Sequence, residues 1–445
     1  MLYESMRLNL VIVLAVVLSG CPGPSDTAAP GAAPGSLDAG FGGGSGIATA
    51  GPLLHDNYGH DLAIRPDGEI ILAGYSRQVS TGLANFSWVC IPEDGTYISG
   101  CIDGYQADFN GIDDIAYGVA LQADGKVVLA GQQFKSATTS EFGSVRFTTG
   151  IPPVLDTSYS VDGKTTDSIS FGNGAGRDVA VLPDGKILVA GWSVTDVAAH
   201  MRVLRYNSNG TLDTTFGDAD SLNPGKRKGY ATFGPAGSYA HAMAIQDDGK
   251  IVVAGYYYAV WNNTTTKDMI VSRLNIDGTP DTTFGLSGNH TIAFTAYDAE
   301  ANAVAIDSLG RIIVVGQYNK AGGCCVSVYR VDSSGGFAQF LDLDEGDLFT
   351  FGNAVAVTAD DNIIVVGNSM YGTASHAFIM RINGNGTGAM ILDTTFGTGG
   401  VSVHPTAGTT GNAVAIQSDD KLLMGGSSDW SGTGGRVFMV TRFNP

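Results

Sequence analysis

The chain contains seven copies of one strand–turn–strand unit, and this repetition limits the possible folds more than any other feature. The clearest copy runs Gly176-Arg177-Asp178-Val179-Ala180-Val181-Leu182-Pro183-Asp184-Gly185-Lys186-Ile187-Leu188-Val189-Ala190-Gly191. The copies end at Gly74, Gly131, Gly191, Gly255, Gly316, Gly367 and Gly426, at spacings of 51 to 64 residues. A single such unit cannot bury its own apolar faces, so a strand-rich repeat of this period points to stacked or ringed units: a propeller or a solenoid. Its 63 glycines, about double the usual share, also argue against long helices, because each interior glycine costs about 1 kcal/mol relative to alanine.

Each column of the repeat has a physical reading. Ala63, Ala120, Ala180, Ala244, Ala305, Ala356 and Ala415 share one position, flanked in every copy by Val, Leu, Ile or Met. Apolar residues on both faces describe a strand covered on both sides. Asp-Gly pairs such as Asp67-Gly68 and Asp248-Gly249 predict a two-residue hairpin turn, for which glycine supplies positive φ. Asp360-Asp361 and Asp419-Asp420 stand in for it in two copies, since aspartate tolerates that conformation better than most residues. A third strand ends near an arginine in six copies (Arg146, Arg205, Arg273, Arg330, Arg381 and Arg442), with Cys90 in the first. Downstream lies a Leu-Asp-like pair, extended in three copies to Asp-Thr-Thr-Phe-Gly. The sixfold arginine reads as a structural latch to that aspartate, because a catalytic arginine is not needed six times. A short fourth strand, as at Gly229 to Gly234, completes the inventory of a propeller blade.

The last copy stops at Pro445, before its Leu-Asp-x-x-Phe-Gly segment, and the missing piece stands at Leu37-Asp38-Ala39-Gly40-Phe41-Gly42 followed by Ile47 to Ala50. A closed ring explains such a split, since closure removes the open sheet edge. The expected fold is therefore all-β: a seven-bladed β-propeller over residues 35–445, with the N-terminal strand completing the last blade.

These motifs resemble the bacterial delta-60 repeat and are similar to NHL-type propeller repeats in strand order. The resemblance covers residues 35–445 and departs in the first and fifth units, around Asp103 and Asp342. It implies an exported or surface propeller and does not imply a reaction.

The N-terminus carries an address. Arg7 precedes the apolar run Leu8 to Leu18, followed by Leu18-Ser19-Gly20-Cys21. The run is short for a membrane span of about 20 residues and fits a secretory signal. Leu-Ser-Gly-Cys resembles the lipobox of bacterial lipoproteins, which implies a signal peptide over 1–20, lipid on Cys21, a Pro/Ala/Gly/Ser tether over 21–34, and an outer-membrane or cell-surface location. In an oxidising compartment Cys90 and Cys101 are disulfide candidates, whereas the neighbours Cys324 and Cys325 read as buried thiols. The net charge of −19 excludes a nucleic-acid partner, whose binding needs lysine and arginine, and keeps the chain soluble as an expected monomer.

One column varies where the rest is uniform. It holds His60, Tyr117, Arg177, His241, Asn302, Asn353 and Asn412, polar in every copy. At the start of the inner strands these residues either hydrogen-bond the entering loops or ring a ligand site at one channel mouth. Aromatic residues expected in the loops after the second strands (Trp192, Tyr256, Trp261, Trp430) suit sugars or peptides or simply cover the rim. Asp342 to Asp347 and Asp113-Asp114 are the candidate calcium ligands, without the spacing of a known loop, and no other cofactor or metal site is indicated. His60 with Asp61, or His241, are the candidate general bases, with no nucleophile motif beside them. The sequence thus favours a non-enzymatic scaffold for a protein, peptide or glycan ligand. A hydrolase or lyase acting on an extracellular polymer through the polar ring is the alternative, followed by a calcium-dependent adhesion module.

Overall fold

The computed structural model describes residues 32–445 apart from 53, 97–103, 151, 168–172, 195–197, 262–263, 295–296, 321–322, 344–348, 372–373, 385–388 and 430–434. The signal and lipidation readings, tether residues 21–31, and Cys101 and Trp430 lie outside these residues, while the end of the expected tether is held by Ser36 N donating to Ala33 O and Gly397 N to Pro34 O. Cys90 is disulfide-bonded, and Cys324 and Cys325 are buried and not disulfide-bonded.

Seven antiparallel sheets form the blades of a ring, six of four strands and one of five. Blade 3 shows the pattern: inner strand Gly174–Val181, then Ile187–Val194, Ala199–Tyr206 and outer strand Tyr230–Phe233. Side chains alternate across each strand, so Ile187 and Val189 enter the core between blades 2 and 3 while Leu188 and Ala190 enter the core between blades 3 and 4. The apolar core is accordingly divided into seven clusters, one at each blade interface. The alanine column lies half-buried at the inner margin of these clusters.

The ring closes as the sequence predicts. Ile47–Ala50 pairs antiparallel with Arg436–Phe443, placing Ile47 opposite Thr441 and Ala50 opposite Phe438. Beside this pairing, Arg442 Nε donates to Asp38 Oδ2 at 2.7 Å and Arg442 Nη1 donates to the Glu93 carbonyl of blade 1 at 2.6 Å.

That geometry recurs and explains the repeated signature. Arg146–Asp156, Arg205–Asp213, Arg273–Asp281 and Arg381–Asp393 each pair at 2.8 Å. In blade 3 the Thr215 hydroxyl donates to Asp213 Oδ1 at 2.7 Å, and the Arg205 guanidinium lies 4.4 Å from the Phe216 ring centroid. Arg205 Nη1 then reaches the Ile276 carbonyl of blade 4 at 2.7 Å. Asp-Thr-Thr-Phe is thus a socket for one guanidinium, whose remaining donor ties each of blades 3 and 4 to the next. Blade 5 lacks the signature, and there Arg330 bonds Gln339 and the Gly384 carbonyl instead.

The hairpin turns differ from expectation. Arg65 N donates to Glu69 O and Gly68 N to Arg65 O, enclosing a three-residue loop in which Gly68 has positive φ and Asp67 does not. A two-residue primed turn needs positive φ at both central residues; a type I turn followed by one left-handed residue needs it only once. Asp361 (φ 61°) and Asp420 (φ 65°) fill that position in blades 6 and 7.

A candidate active site at the channel mouth

In every inner strand the ladder slips by one residue at the same place. The pairing skips between Gly59 and Asp61, Ala116 and Gly118, Gly176 and Asp178, Ala240 and Ala242, Ala301 and Ala303, Gly352 and Ala354, and Gly411 and Ala413. The skipped residues are His60, Tyr117, Arg177, His241, Asn302, Asn353 and Asn412. A β-bulge frees its extra residue from the ladder and re-aims its side chain. The glycine that closes each motif follows from the same bulge: a Cβ on Gly74 would stand 1.8 Å from the Tyr58 carbonyl, and one on Gly191 1.9 Å from that of Ala175. All seven polar residues therefore border the central channel, half-buried.

Both readings of this column hold, in different blades. Asn302 Nδ2 donates to Gly352 O at 2.9 Å, Asn353 Nδ2 to Gly411 O at 2.9 Å, and Asn412 Nδ2 to Gly59 O at 2.8 Å. Each amide clasps the residue just before the next blade's bulge. His60 takes the same position with Nδ1 2.9 Å from Ala116 O. A carbonyl only accepts, so Nδ1 carries the proton and Nε2 is left with its lone pair. The imidazole of His241 lies by the Ala301 backbone and the Asn302 side chain, which favour its charged form. Tyr117 and Arg177 follow another arrangement. The Tyr117 ring stacks on His60 (5.1 Å between centroids, 4° between planes), and the Arg177 guanidinium lies 3.8 Å from the Tyr117 centroid.

Arg177 is the centre of the electrostatics. Burial, and after it the Arg177 charge, lowers His241 to about 3; burial with a smaller contribution from Arg177 lowers His60 to about 4. Both imidazoles are thus neutral near pH 7. Other cations at this end have acid partners: Arg77 with Asp113, Lys267 with Glu300, Arg436 with Asp429. Among the described residues Arg177 makes no ion pair. Deeper in the channel, Asp61 accepts from Val119 N (2.8 Å) and Asp178 from Met243 N (2.6 Å), each bridging to the next blade. Burial raises Asp61 to about 7, helped by the Asp178 charge, and raises Asp178 to about 6.

Three contributors were not singled out from sequence. Tyr58 pairs across the ladder with Tyr75 and stacks on it (4.6 Å between centroids), and Tyr75 meets His60 edge-on at 5.4 Å. Tyr239 repeats this with Tyr256 (5.0 Å), and Tyr256 meets His241 edge-on at 5.3 Å. The available signal was an aromatic residue immediately before the bulge glycine or alanine and another just after the motif's terminal glycine. The aromatics expected in loops sit instead within second strands: Trp192 in Ile187–Val194, and Tyr256 and Trp261 in Ile251–Trp261. Of the acidic candidates, Asp344, Glu345 and Asp347 lie outside the described residues. Asp113 is bound by Arg77 and by Ala84 N, Asp342 accepts from Ser327, and no group of three metal-ligating side chains occurs among the described residues.

Comparison with known proteins agrees with this architecture. A family model described as a β-propeller domain of unknown function, DUF5122, matches residues 182–216, 246–284 and 358–396, each stretch running from a hairpin turn to a latch phenylalanine. No curated protein matches the chain. Among solved structures, the polysaccharide lyase Uly1 is similar at a TM-score of 0.52 with 11% identity, over 87% of this chain and 90% of that one. A PL25 ulvan lyase gives 0.49 with 10% identity over 88% and 95%, and Sqt1 from Chaetomium thermophilum gives 0.46 with 11% identity over 89% and 98%. The expectation of a non-enzymatic scaffold is not upheld: solved structures similar over most of the chain include polysaccharide lyases, a likeness that at 11% identity is one of fold. By fold and by family match, the chain is similar to DUF5122-type β-propellers.

Proposed function

We propose that this propeller is a polysaccharide lyase that cleaves an anionic, uronate-containing polymer at the channel mouth bordered by blades 1–4. The observation that carries the reading is Arg177, a guanidinium without an ion-pair partner among the described residues, stacked on Tyr117 and flanked by two neutral imidazoles. A planar guanidinium is suited to bind a carboxylate through paired hydrogen bonds. With the uronate carboxylate on Arg177, the C5 proton becomes more acidic and Nε2 of His60 removes it. The electron pair forms the C4–C5 double bond as the C4–O bond breaks, and the leaving oxygen takes a proton from the Tyr75 hydroxyl. Burial keeps that phenol protonated, with its pKa raised to about 12. Ala116 O holds His60 in the tautomer this role needs, and base catalysis of this kind is worth about 10²–10⁴ in rate. The likeness to Uly1, itself a polysaccharide lyase, supports elimination over hydrolysis.

The test is incubation of the purified protein with uronate-containing and neutral polysaccharides while following ultraviolet absorbance from the new double bond. Absorbance growing only with the uronate polymers is expected; no growth with any uronate polymer overturns the assignment. The delta-60-like repeats and the lipobox-like Leu18-Ser19-Gly20-Cys21 support placing this enzyme on the outer membrane or cell surface through lipid on Cys21. Replacement Cys21→Ala should then move the protein from the membrane fraction to the soluble one.

A further inference from the structure

Blades 1 and 4 carry the same cluster twice. Tyr58, His60 and Tyr75 in blade 1 correspond in register to Tyr239, His241 and Tyr256 in blade 4. A cation lies over one tyrosine of each pair, Arg436 over Tyr58 at 5.2 Å and Lys267 over Tyr256 at 4.6 Å. The two clusters then diverge. Among the described residues His60 holds the Ala116 carbonyl through Nδ1 at 2.9 Å, while His241 lies by the Ala301 backbone and the Asn302 side chain. Blade 4 adds two further rings: Trp192 of blade 3 meets Tyr239 edge-on at 5.0 Å, and Tyr258 meets Tyr239 at 6.0 Å and Tyr256 at 5.7 Å. Its hairpin is also longer, with strands of 11 residues against 8 in blade 3. Tyr257 turns inward to the core between blades 3 and 4, as strand alternation requires, whereas Tyr258 is 43% exposed.

We infer that the blade 4 cluster of Trp192, Tyr239, His241, Tyr256 and Tyr258 is a binding subsite for a sugar ring adjoining the one held on Arg177. The four aromatic side chains form a continuous wall that begins at His241 and rises along the extended hairpin. Aromatic faces pack against the C–H faces of pyranose rings, and rigid aromatic anchors supply much of the affinity at such surfaces. The His241 imidazole, edge-on to Tyr256 at 5.3 Å, serves as the floor of the wall. The occupant is a pyranose unit of the same polymer, because the wall is continuous with the site of Arg177 through His241. The inference rests on the lyase reading for its substrate, and it can be tested separately.

Two measurements do so. Intrinsic tryptophan fluorescence, to which Trp192 contributes as one of four tryptophans, is titrated with oligosaccharides of the polymer in the wild type and in the variants Tyr239→Ala and Tyr258→Ala, and cleavage kinetics are followed for the same proteins. Saturable fluorescence change in the wild type, weakened about tenfold in each variant (the effect of losing about 1.4 kcal/mol), together with a matching rise in KM, is expected. Binding that behaves this way without any cleavage keeps the subsite and discards the lyase. Cleavage with unchanged KM and unchanged titration in both variants overturns the subsite.

Discussion

Blades 5–7 and blades 1–4 share one backbone device and use it differently. In blades 5–7 the bulge residue is asparagine each time, and its amide clasps the next blade through a carbonyl 2.8–2.9 Å away. In blades 1–4 the same position holds His60, Tyr117, Arg177 and His241, and the His60 imidazole imitates the amide clasp through Nδ1. A bulge that already turns a side chain into the channel therefore needs no new backbone to become a reactive group. The amide half shows what ring closure requires, and the departures in the other half show what has been added. Uniformity in a repeat protein marks structure, and variation at one fixed position marks chemistry.

The contrast between the halves is open to test at several points. His60→Asn converts a blade 1 position into a blade 5 one; the clasp should persist and the protein should fold, while kcat falls about 10²–10⁴-fold, measured by double-bond absorbance. Full activity in that variant would remove the distinction between the halves. Arg442→Ala attacks the latch that both halves share. Asp38 keeps Lys421 at 2.7 Å, so losing the guanidinium should cost about 1.5–3 kcal/mol, read from denaturant midpoints, with loss of protection at Ile47 to Ala50 in hydrogen exchange. Arg177→Met isolates the electrostatic contribution. The acid limb of kcat/KM should lie near pH 4 in the wild type, where His60 gains its proton, and should move upward in the variant, because the repelling charge that helps hold the imidazole neutral is gone. Asn353→Ala removes one clasp in the amide half and should lower stability by about 1 kcal/mol, seen as a small drop in thermal midpoint.

The buried carboxylates supply a pH signature. Asp61 keeps its proton to about pH 7 in the fold but only to 3.8 when unfolded, so it withdraws stability as pH rises through that window. His60, protonated below 6.5 when unfolded but only below about 4 in the fold, adds stability as pH rises between those values. Asp61→Asn should therefore gain stability relative to wild type as pH increases from 5 to 8, measured by thermal unfolding across that range.

Much of the fold was legible in the linear chain because each blade is built from neighbours in sequence. The hairpin position, the apolar alternation, the Arg–Asp–Phe latch and the missing last segment all lie within one repeat length, where residue type reports local geometry directly. The length of the turn was not legible, because Asp-Gly serves a two-residue and a three-residue loop equally well and only the φ of the aspartate separates them. The site was half legible: seven variable polar positions could be picked out, and neither their roles nor the tyrosines beside them could.

The linear chain already settles that there are seven four-stranded units, that the two ends share a blade, and that one column differs from copy to copy. Only folding in three dimensions settles that the column is a row of bulges, that Arg177 lies over Tyr117 of the preceding blade, and that Tyr58 and Tyr75 stand beside His60. The cause is distance along the chain. Partners round the ring are separated by a whole repeat, and a one-residue slip in a ladder reverses which way every later side chain points, so neither fact is written in any local pattern.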